Sequence, residues 1–231
     1  MLVSHRYRFI YTKTAKTGGT SVESYFERFC MEDGAWEQVH AREMYESSAG
    51  IIGYRGRGEA QAHRWWNHMP AARIRHQLGK AVWEDYFKFC VVRNPFEKCI
   101  SAFEHAGVDH TIGCLSGLPF RLATIAMTPE QRRFLHWLRR TGPPIDRAAY
   151  VIDGDFCMDD VIRYESLEAG LERICRRLDL PWEPSLLPTF KTGLRREEAT
   201  VQNLYTPAAR RLVERAFAFE IDRFGYRFPH A

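Results

Sequence analysis

Two short apolar segments, each followed by a polar turn and a helical pattern, restrict the fold of this chain more than any other feature. Residues 7–11 are aromatic and β-branched, which indicates a strand. Residues 86–92 are nearly continuously apolar, as in a strand buried on both faces of a parallel sheet. A loop of small residues at 14–21 follows the first segment, and the turn Arg93-Asn94-Pro95 follows the second. The sequence therefore predicts two strand–loop–helix units.

Helical and extended patterns alternate along the remainder of the chain. Val22, Tyr25, Phe26 and Phe29 have the i, i+3, i+4, i+7 spacing of one helix face. The other predicted elements are helices at 71–78, 96–105, 129–140, 167–178 and 207–224, strands at 150–152 and 161–164, and a glycine-containing loop at 50–58. We see no repeat or linker that divides the sequence. We therefore expect a single α/β domain over residues 1–231, with a mostly parallel central sheet flanked by helices.

The composition indicates a folded protein and narrows the classes of ligand. The 231 residues carry a formal net charge of +4, an excess too small to indicate a nucleic-acid partner by itself. The basic residues are 27 arginines and only 6 lysines, which fits genomic base composition or recognition of planar anions such as phosphate and sulfate. The six cysteines form no CxxC pair and indicate reduced thiols. The nine histidines lack the HExxH spacing, so we expect no metal site.

Neither end of the chain nor any internal segment predicts a membrane protein. The longest runs without a charged residue, at 110–120 and 199–209, have 11 residues. A bilayer needs about 20. Arg6 and Arg8 interrupt the first apolar residues, so no export signal is evident. We expect a cytoplasmic protein without stable membrane insertion.

The loop between the first strand and its helix has the composition of an anion site. Glycines at such a turn let backbone N–H groups and the positive end of the helix dipole face a ligand. Lys16 precedes Gly18-Gly19, whereas the nucleotide loop GxxxxGK[ST] places its lysine after the last glycine. This reversed order favours a monophosphate-sized or phosphosulfate group over a metal-bound triphosphate. A tight turn with a surface lysine is the alternative.

Arg93 ends the second buried strand and therefore lies at the carboxyl edge of the sheet, where open α/β folds bind ligands. Ser101 follows eight residues later, about two helical turns on, and can offer a hydroxyl to the same anion. A structural ion pair explains Arg93 equally well when this turn is taken alone.

Taken together, the two segments resemble the sulfotransferase family, and most closely its carbohydrate-type branch. Lys-Thr-Gly-Gly-Thr-Ser at 16–21 is similar to the family's 5′-phosphosulfate loop, with Ala15 where the family has proline. Val-Val-Arg-Asn-Pro-Phe-Glu-Lys-Cys-Ile-Ser at 91–101 is similar to its 3′-phosphate motif. The segment 67–71, Asn-His-Met-Pro-Ala, matches the family in carrying a histidine well before that arginine. Weaker similarities lie at 162–167 and 222–226.

The resemblance implies a fold related to the P-loop nucleotide kinases and 3′-phosphoadenosine 5′-phosphosulfate (PAPS) as the sulfuryl donor, used without a metal. Lys16 would neutralise charge on the departing 5′-phosphate, and the residues that would cradle this phosphate are Thr17, Gly18, Gly19, Thr20 and Ser21. Arg93 and Ser101 would hold the 3′-phosphate. Arg195 and Arg196 would close over the nucleotide, although solvated surface charge explains them equally well.

A catalytic base is also needed, because an alcohol is a poor nucleophile until its proton is taken. His68 precedes Pro70 and a predicted helix start, and it lies 25 residues before Arg93, as in the family. His63 lies five residues too early. Some relatives use a glutamate instead, and Glu37 or Glu43 would then be the candidate.

The function that we expect is PAPS-dependent, in-line transfer of a sulfuryl group to a hydroxyl of a carbohydrate, a glycosylated metabolite or another small molecule. One alternative is a nucleotide-dependent kinase, although we find no acidic strand end to bind Mg²⁺. The other is a non-catalytic module that binds anions or nucleic acid. The basic helix at 129–140 is either a solvated face or a docking surface for an acidic glycan; its arginines are Arg132, Arg133, Arg139 and Arg140.

Overall fold

The computed structural model describes residues 1–106, 127–190, 196 and 199–229. The chain forms two compact units, each made of two segments. The first unit contains Met1–Arg93 and Asp146–Phe190, and the second contains Asn94–Ile145 and Lys191–Ala231. The predicted strands all belong to the first unit, so the candidate anion loop is built on the sheet of that unit.

The first unit is organised around a six-stranded sheet with the strand order β3-β4-β1-β2-β5-β8. A separate hairpin is formed by β6 and β7. The strands are β1 Leu2–Ser4, β2 Phe9–Thr12, β3 Tyr45–Glu46, β4 Gly50–Ile52, β5 Phe87–Val92, β6 Val151–Ile152, β7 Asp155–Phe156 and β8 Asp160–Arg163. The strands predicted at 7–11, 86–92, 150–152 and 161–164 are thereby confirmed to within two residues.

The sheet is mixed, and the prediction of a mostly parallel sheet is wrong. Only β2–β5 and β5–β8 pair in parallel, whereas β1–β2, β1–β4 and β3–β4 are antiparallel. The physical reason is the length of the connections. The chain passes from β1 to β2, and from β3 to β4, through only a few residues, and such short links can join antiparallel strands alone.

The predicted loop at 50–58 is also wrong in its first part, because Gly50–Ile52 forms β4 in the sheet. A Cβ atom on Gly50 would lie 2.3 Å from the carbonyl oxygen of Val3 and 2.9 Å from that of Cys30. This glycine is therefore required by close backbone packing within the sheet, not by a turn.

The parallel half of the sheet carries the candidate site. Phe9 pairs with Phe87 and Thr12 with Cys90, so the carboxyl ends of β2 and β5 lie side by side. The aromatic rings of Phe9, Tyr11 and Phe89 are fully buried in the core beneath the first helix. Each parallel strand leads into a helix, as the alternating pattern predicts.

The predicted helices are present with one exception, and two further short helices, at 80–85 and 201–204, were not predicted. They are α1 Gly19–Phe26, α2 Ala71–Leu78, α3 Lys80–Asp85, α4 Pro95–His105, α5 Pro129–Thr141, α6 Leu167–Arg177, α7 Val201–Leu204, α8 Pro207–Ala216 and α9 Ala218–Phe224. The single helix predicted over 207–224 is wrong, because the chain leaves helical geometry at Phe217, with φ −104° and ψ 26°. Phe217 is buried in the core of the second unit, so tertiary packing overrides the continuous helical pattern there.

No helix in the described part of the chain combines the length and the apolar character needed to cross a membrane.

Candidate active site

The loop between β2 and α1 lies at the carboxyl edge of the parallel strands, as expected. Lys16 and Gly18 have φ values of 60° and 69°, and both therefore occupy the left-handed region. In this conformation the N–H groups of successive residues turn toward one side, which is the geometry of an anion-binding nest. Gly18 adopts the conformation without steric cost, whereas Lys16 is strained and must be held by its surroundings.

Hydrogen bonds to neighbouring elements hold the loop in place. The Thr14 hydroxyl donates to the carbonyl oxygen of Val91 on β5. The hydroxyl oxygens of Thr14 and Thr17 lie 2.8 Å apart. The N–H of Ala15 donates to the Asp146 carboxylate at 2.5 Å. The buried Thr17 hydroxyl is thus used inside the loop, so this residue would serve a ligand through its backbone.

The first turn of α1 presents backbone N–H donors, and no acidic side chain lies in this turn. Gly18 caps the helix without a side-chain hydrogen bond, and no acidic residue lies in the first turn. Among the described hydrogen bonds, none uses the N–H groups of Gly18, Gly19 or Thr20 as donors. A helix N-terminus with open N–H groups and the positive end of the dipole favours an anion.

Arg93 reaches this loop from the end of β5. Its Nη1 donates to the carbonyl oxygen of Lys16 at 3.0 Å. Its guanidinium also lies over the ring of Tyr164, 4.2 Å from the centroid, and Tyr164 directly follows β8. The end of β5 therefore contacts the loop, and the structure brings the Arg93 guanidinium to the backbone of Lys16.

His68 interacts electrostatically with charged residues in and around the same loop. Its surroundings lower its pKa to about 4 because they desolvate the charged imidazolium, and the ammonium of Lys13 acts in the same direction. Glu23 and Asp146 interact with the ring and oppose this effect. The residue as a whole is exposed, and a pKa of about 4 leaves the imidazole neutral at pH 7.

His68 and His63 differ in their backbone conformation and in their ring contacts. His68 has φ 57°, a left-handed conformation that a non-glycine residue adopts at a cost of about 1–3 kcal/mol. His63 instead stacks on Tyr54, with ring centroids 3.8 Å apart. His63 is therefore held by this stacking contact, whereas His68 interacts electrostatically with Lys13, Glu23 and Asp146.

The second unit holds the remaining candidates. Ser101 lies in α4, and Arg196 forms a two-pronged ion pair with Glu104, at 2.9 and 3.0 Å. Arg195 lies outside the described residues. The roles of Ser101, Arg195 and Arg196 therefore stay predictions.

The alternative bases, Glu37 and Glu43, are exposed. In the described contacts, neither of their carboxylates touches the loop. The choice of His68 over both glutamates therefore stays a prediction.

A buried ionic network behind the loop was not predicted from the sequence. Lys13 and Glu23 form a salt bridge of 2.6 Å, and Arg55 contacts Glu23 at 3.2 Å. The available signal was the pair of Glu23 and Glu27, which lie four residues apart in a strongly aromatic helix and so share one face. Like charges at this spacing need cations between them when the face is buried.

The contacts described above gather the loop N–H groups, the guanidinium of Arg93 and the backbone of Lys16 at one sheet edge. Within the described ranges, no group of three or more histidine, cysteine, aspartate or glutamate side chains is arranged to hold a metal ion. The N–H groups, lysine and arginine side chains of this edge have the chemistry to bind an anion, and a neutral imidazole can accept a proton.

Comparison with known proteins gives one finding. Residues 1–227 match a family model described as the sulfotransferase family. Neither the curated proteins nor the solved structures contain a match. Because the matched region includes the loop, Arg93 and His68, and extends over nearly the whole sequence, the chain belongs to the sulfotransferase family.

Proposed function

We propose that this protein is a PAPS-dependent sulfotransferase whose acceptor is a hydroxyl of a carbohydrate, a glycosylated metabolite or another small molecule. The observation that carries the proposal is the loop at 13–21, where the N–H groups at the start of α1, the guanidinium of Arg93 and the backbone of Lys16 meet at one sheet edge. Family membership supports sulfuryl transfer over phosphoryl transfer. The carbohydrate acceptor rests on the resemblance to the carbohydrate-type branch, and the cytoplasmic location stays a prediction.

The residues of the loop fit the 5′-phosphate end of such a donor. The N–H groups of Gly18, Gly19 and Thr20 would hold its oxygens, and the absence of an acidic residue in the first turn of α1 avoids repulsion. Arg93 would bind the 3′-phosphate. Its contacts with Lys16 and Tyr164 fix the guanidinium plane, and a fixed guanidinium loses less entropy when it binds a phosphate.

Two residues have proposed catalytic roles: His68 would accept a proton, and Lys16 would stabilise a negative charge. Bound PAPS would supply the sulfur atom to which the acceptor oxygen forms a bond. The bond between this sulfur and the bridging phosphate oxygen would break at the same time. A ring nitrogen of His68 would take the proton of the attacking hydroxyl. The Lys16 ammonium would stabilise the negative charge that develops on the departing phosphate, an effect that is larger in the transition state than in the ground state.

Binding of the desulfated donor product, adenosine 3′,5′-bisphosphate, tests this assignment. The protein should be stabilised against thermal unfolding by this nucleotide in EDTA, and ATP should stabilise it less. Arg93→Ala should weaken the affinity by about 10- to 150-fold, since a charge-assisted hydrogen bond contributes about 1.5–3 kcal/mol. Calorimetric titration of wild type and variant measures the difference.

Arg176→Ala provides the matched comparison for Arg93→Ala. Arg176 is exposed on α6 and pairs with Glu172, so its loss should leave nucleotide affinity unchanged. Stabilisation by Mg²⁺-ATP alone, with none by the bisphosphate, would overturn the donor assignment.

The pH dependence of kcat/KM gives a second prediction. With the pKa of His68 near 4, the base stays unprotonated over the neutral range, and activity should fall only as the pH drops toward about 4. An ordinary histidine would place this fall near pH 6.5. Initial rates between pH 4.5 and 8, with circular dichroism to confirm folding, check the position of the acidic limb. A midpoint at pH 6.5 would contradict a desolvated His68 as the base.

A further inference from the structure

Glu23 is the centre of a buried ionic network directly beneath the loop. It lies in α1, is fully buried, and accepts from Lys13 Nζ at 2.6 Å and from Arg55 Nη1 at 3.2 Å. Its other carboxylate oxygen contacts the Met1 nitrogen. Burial alone would raise the pKa of Glu23, but the ammonium of Lys13 and the other cations hold it well below its usual range. The carboxylate is therefore charged inside the protein.

Lys13 connects this carboxylate to the end of β2. It directly follows Thr12, is 4% exposed, and its Nζ also lies 3.4 Å from the hydroxyl oxygen of Thr20 in the first turn of α1. Its carbon chain passes under Gly19, where an added Cβ would lie only 3.0 Å from Lys13 Cγ. The salt bridge between Lys13 and Glu23 thus closes the loop at its base, because the two residues flank it on either side.

Glu27 offers a matched comparison within the same network. It is equally buried and binds Arg55 and, at 3.0 Å, Arg42 Nε. Arg55 in turn donates to the carbonyl oxygens of Val39 and His40. In the described contacts, Glu27 does not touch Lys13. The two glutamates therefore share burial and charge, and only Glu23 is tied to the loop.

We propose that Glu23 is a positioning residue of the donor site. Through Lys13 it holds the anion-binding loop, before the donor binds, in the conformation described above. This inference rests on the proposed function. The physical advantage is preorganisation: N–H donors that are already fixed need no ordering when the anion binds. The tie also helps to hold Lys16 in its left-handed conformation, which costs a non-glycine residue free energy.

Glu23→Gln and Glu27→Gln, compared side by side, test the proposal by two readouts. In Glu23→Gln, affinity for adenosine 3′,5′-bisphosphate should fall by about 10- to 100-fold, as expected when a ligand group is misplaced by about an ångström. The N–H groups of Ser21 and Val22, which close the turn on the carbonyl oxygen of Gly18, should also exchange hydrogen faster in the protein without nucleotide. Glu27→Gln should lower the melting temperature similarly but change neither readout.

The double substitution Lys13→Met with Glu23→Leu covers the case in which Glu23→Gln does not fold. Removing both side chains of the Lys13–Glu23 salt bridge leaves no charged contact between these two positions, while Arg55 keeps its ion pair with Glu27. Faster exchange at Ser21 and Val22 is expected again. Equal effects of the two glutamate variants, or unchanged loop exchange, would overturn the inference. Wild-type protein that binds no bisphosphate would instead overturn the proposed function, and the exchange readout would still decide the role of Glu23.

Discussion

Replacing Lys16 by alanine should lower kcat by about 10²- to 10³-fold, the range seen when one preplaced group that stabilises developing charge is removed. The reason is that the ammonium meets full negative charge only as the sulfuryl group leaves. Affinity for the bisphosphate should fall much less, because the loop N–H groups and Arg93 remain. Steady-state rates with labelled donor, together with calorimetric titration of the bisphosphate, separate the two effects.

Two further variants test whether the decrease in kcat is caused by loss of the positive charge at position 16. Lys16→Arg retains a cation and should recover part of kcat. Lys80→Ala removes an exposed lysine of α3 that pairs with Glu84, and it should have no effect. The left-handed backbone at 16 is equally strained for alanine and lysine, so the substitution adds no new strain. An unchanged kcat in Lys16→Ala would remove this residue from the mechanism.

The local parts of the fold could be predicted from the sequence because their signals are contained in short windows. The buried run at 86–92 and the helix predicted at 129–140 are examples, and α5 begins with Pro129 in its first turn and a capping box formed by Thr128 and Gln131. The strands β3 and β4 could not be predicted in the same way. They have two and three residues, and they exist only because they pair with one another and with β1.

The same distinction applies to the candidate site: parts with a local sequence signal could be predicted, and parts that depend on long-range contacts could not. Lys16 and Arg93 follow two strands that the sequence identifies, and parallel pairing brings them to one edge. The network around Glu23 depends on Arg55, 32 residues away, and no periodic pattern encodes that contact. The sequence shows which residues have suitable chemistry, whereas the long-range ion pairs that hold the loop appear only in the structure.

Replacing His68 by alanine should lower kcat by about 10²- to 10⁴-fold, the usual contribution of a general base. The acceptor hydroxyl would then lose its proton only to water. Donor binding should be unchanged, because the proposed phosphate contacts come from the loop and Arg93 and not from His68. The acidic limb of the pH profile should also disappear from the residual activity, since the group that titrates near pH 4 is gone. Single-turnover rates with saturating donor measure the chemical step directly.

His63→Ala distinguishes loss of the base from general disturbance of this segment. His63 lies five residues earlier and stacks on Tyr54, so its removal should affect stability more than turnover. Glu37→Gln and Glu43→Gln test the other candidate bases, and both should retain activity because the proposal assigns proton transfer to His68. A His68→Ala enzyme with near-normal turnover, together with an inactive variant of either glutamate, would transfer the role of base to that glutamate. The strained backbone of His68 would then need another explanation, such as packing of the buried Met69 that follows it.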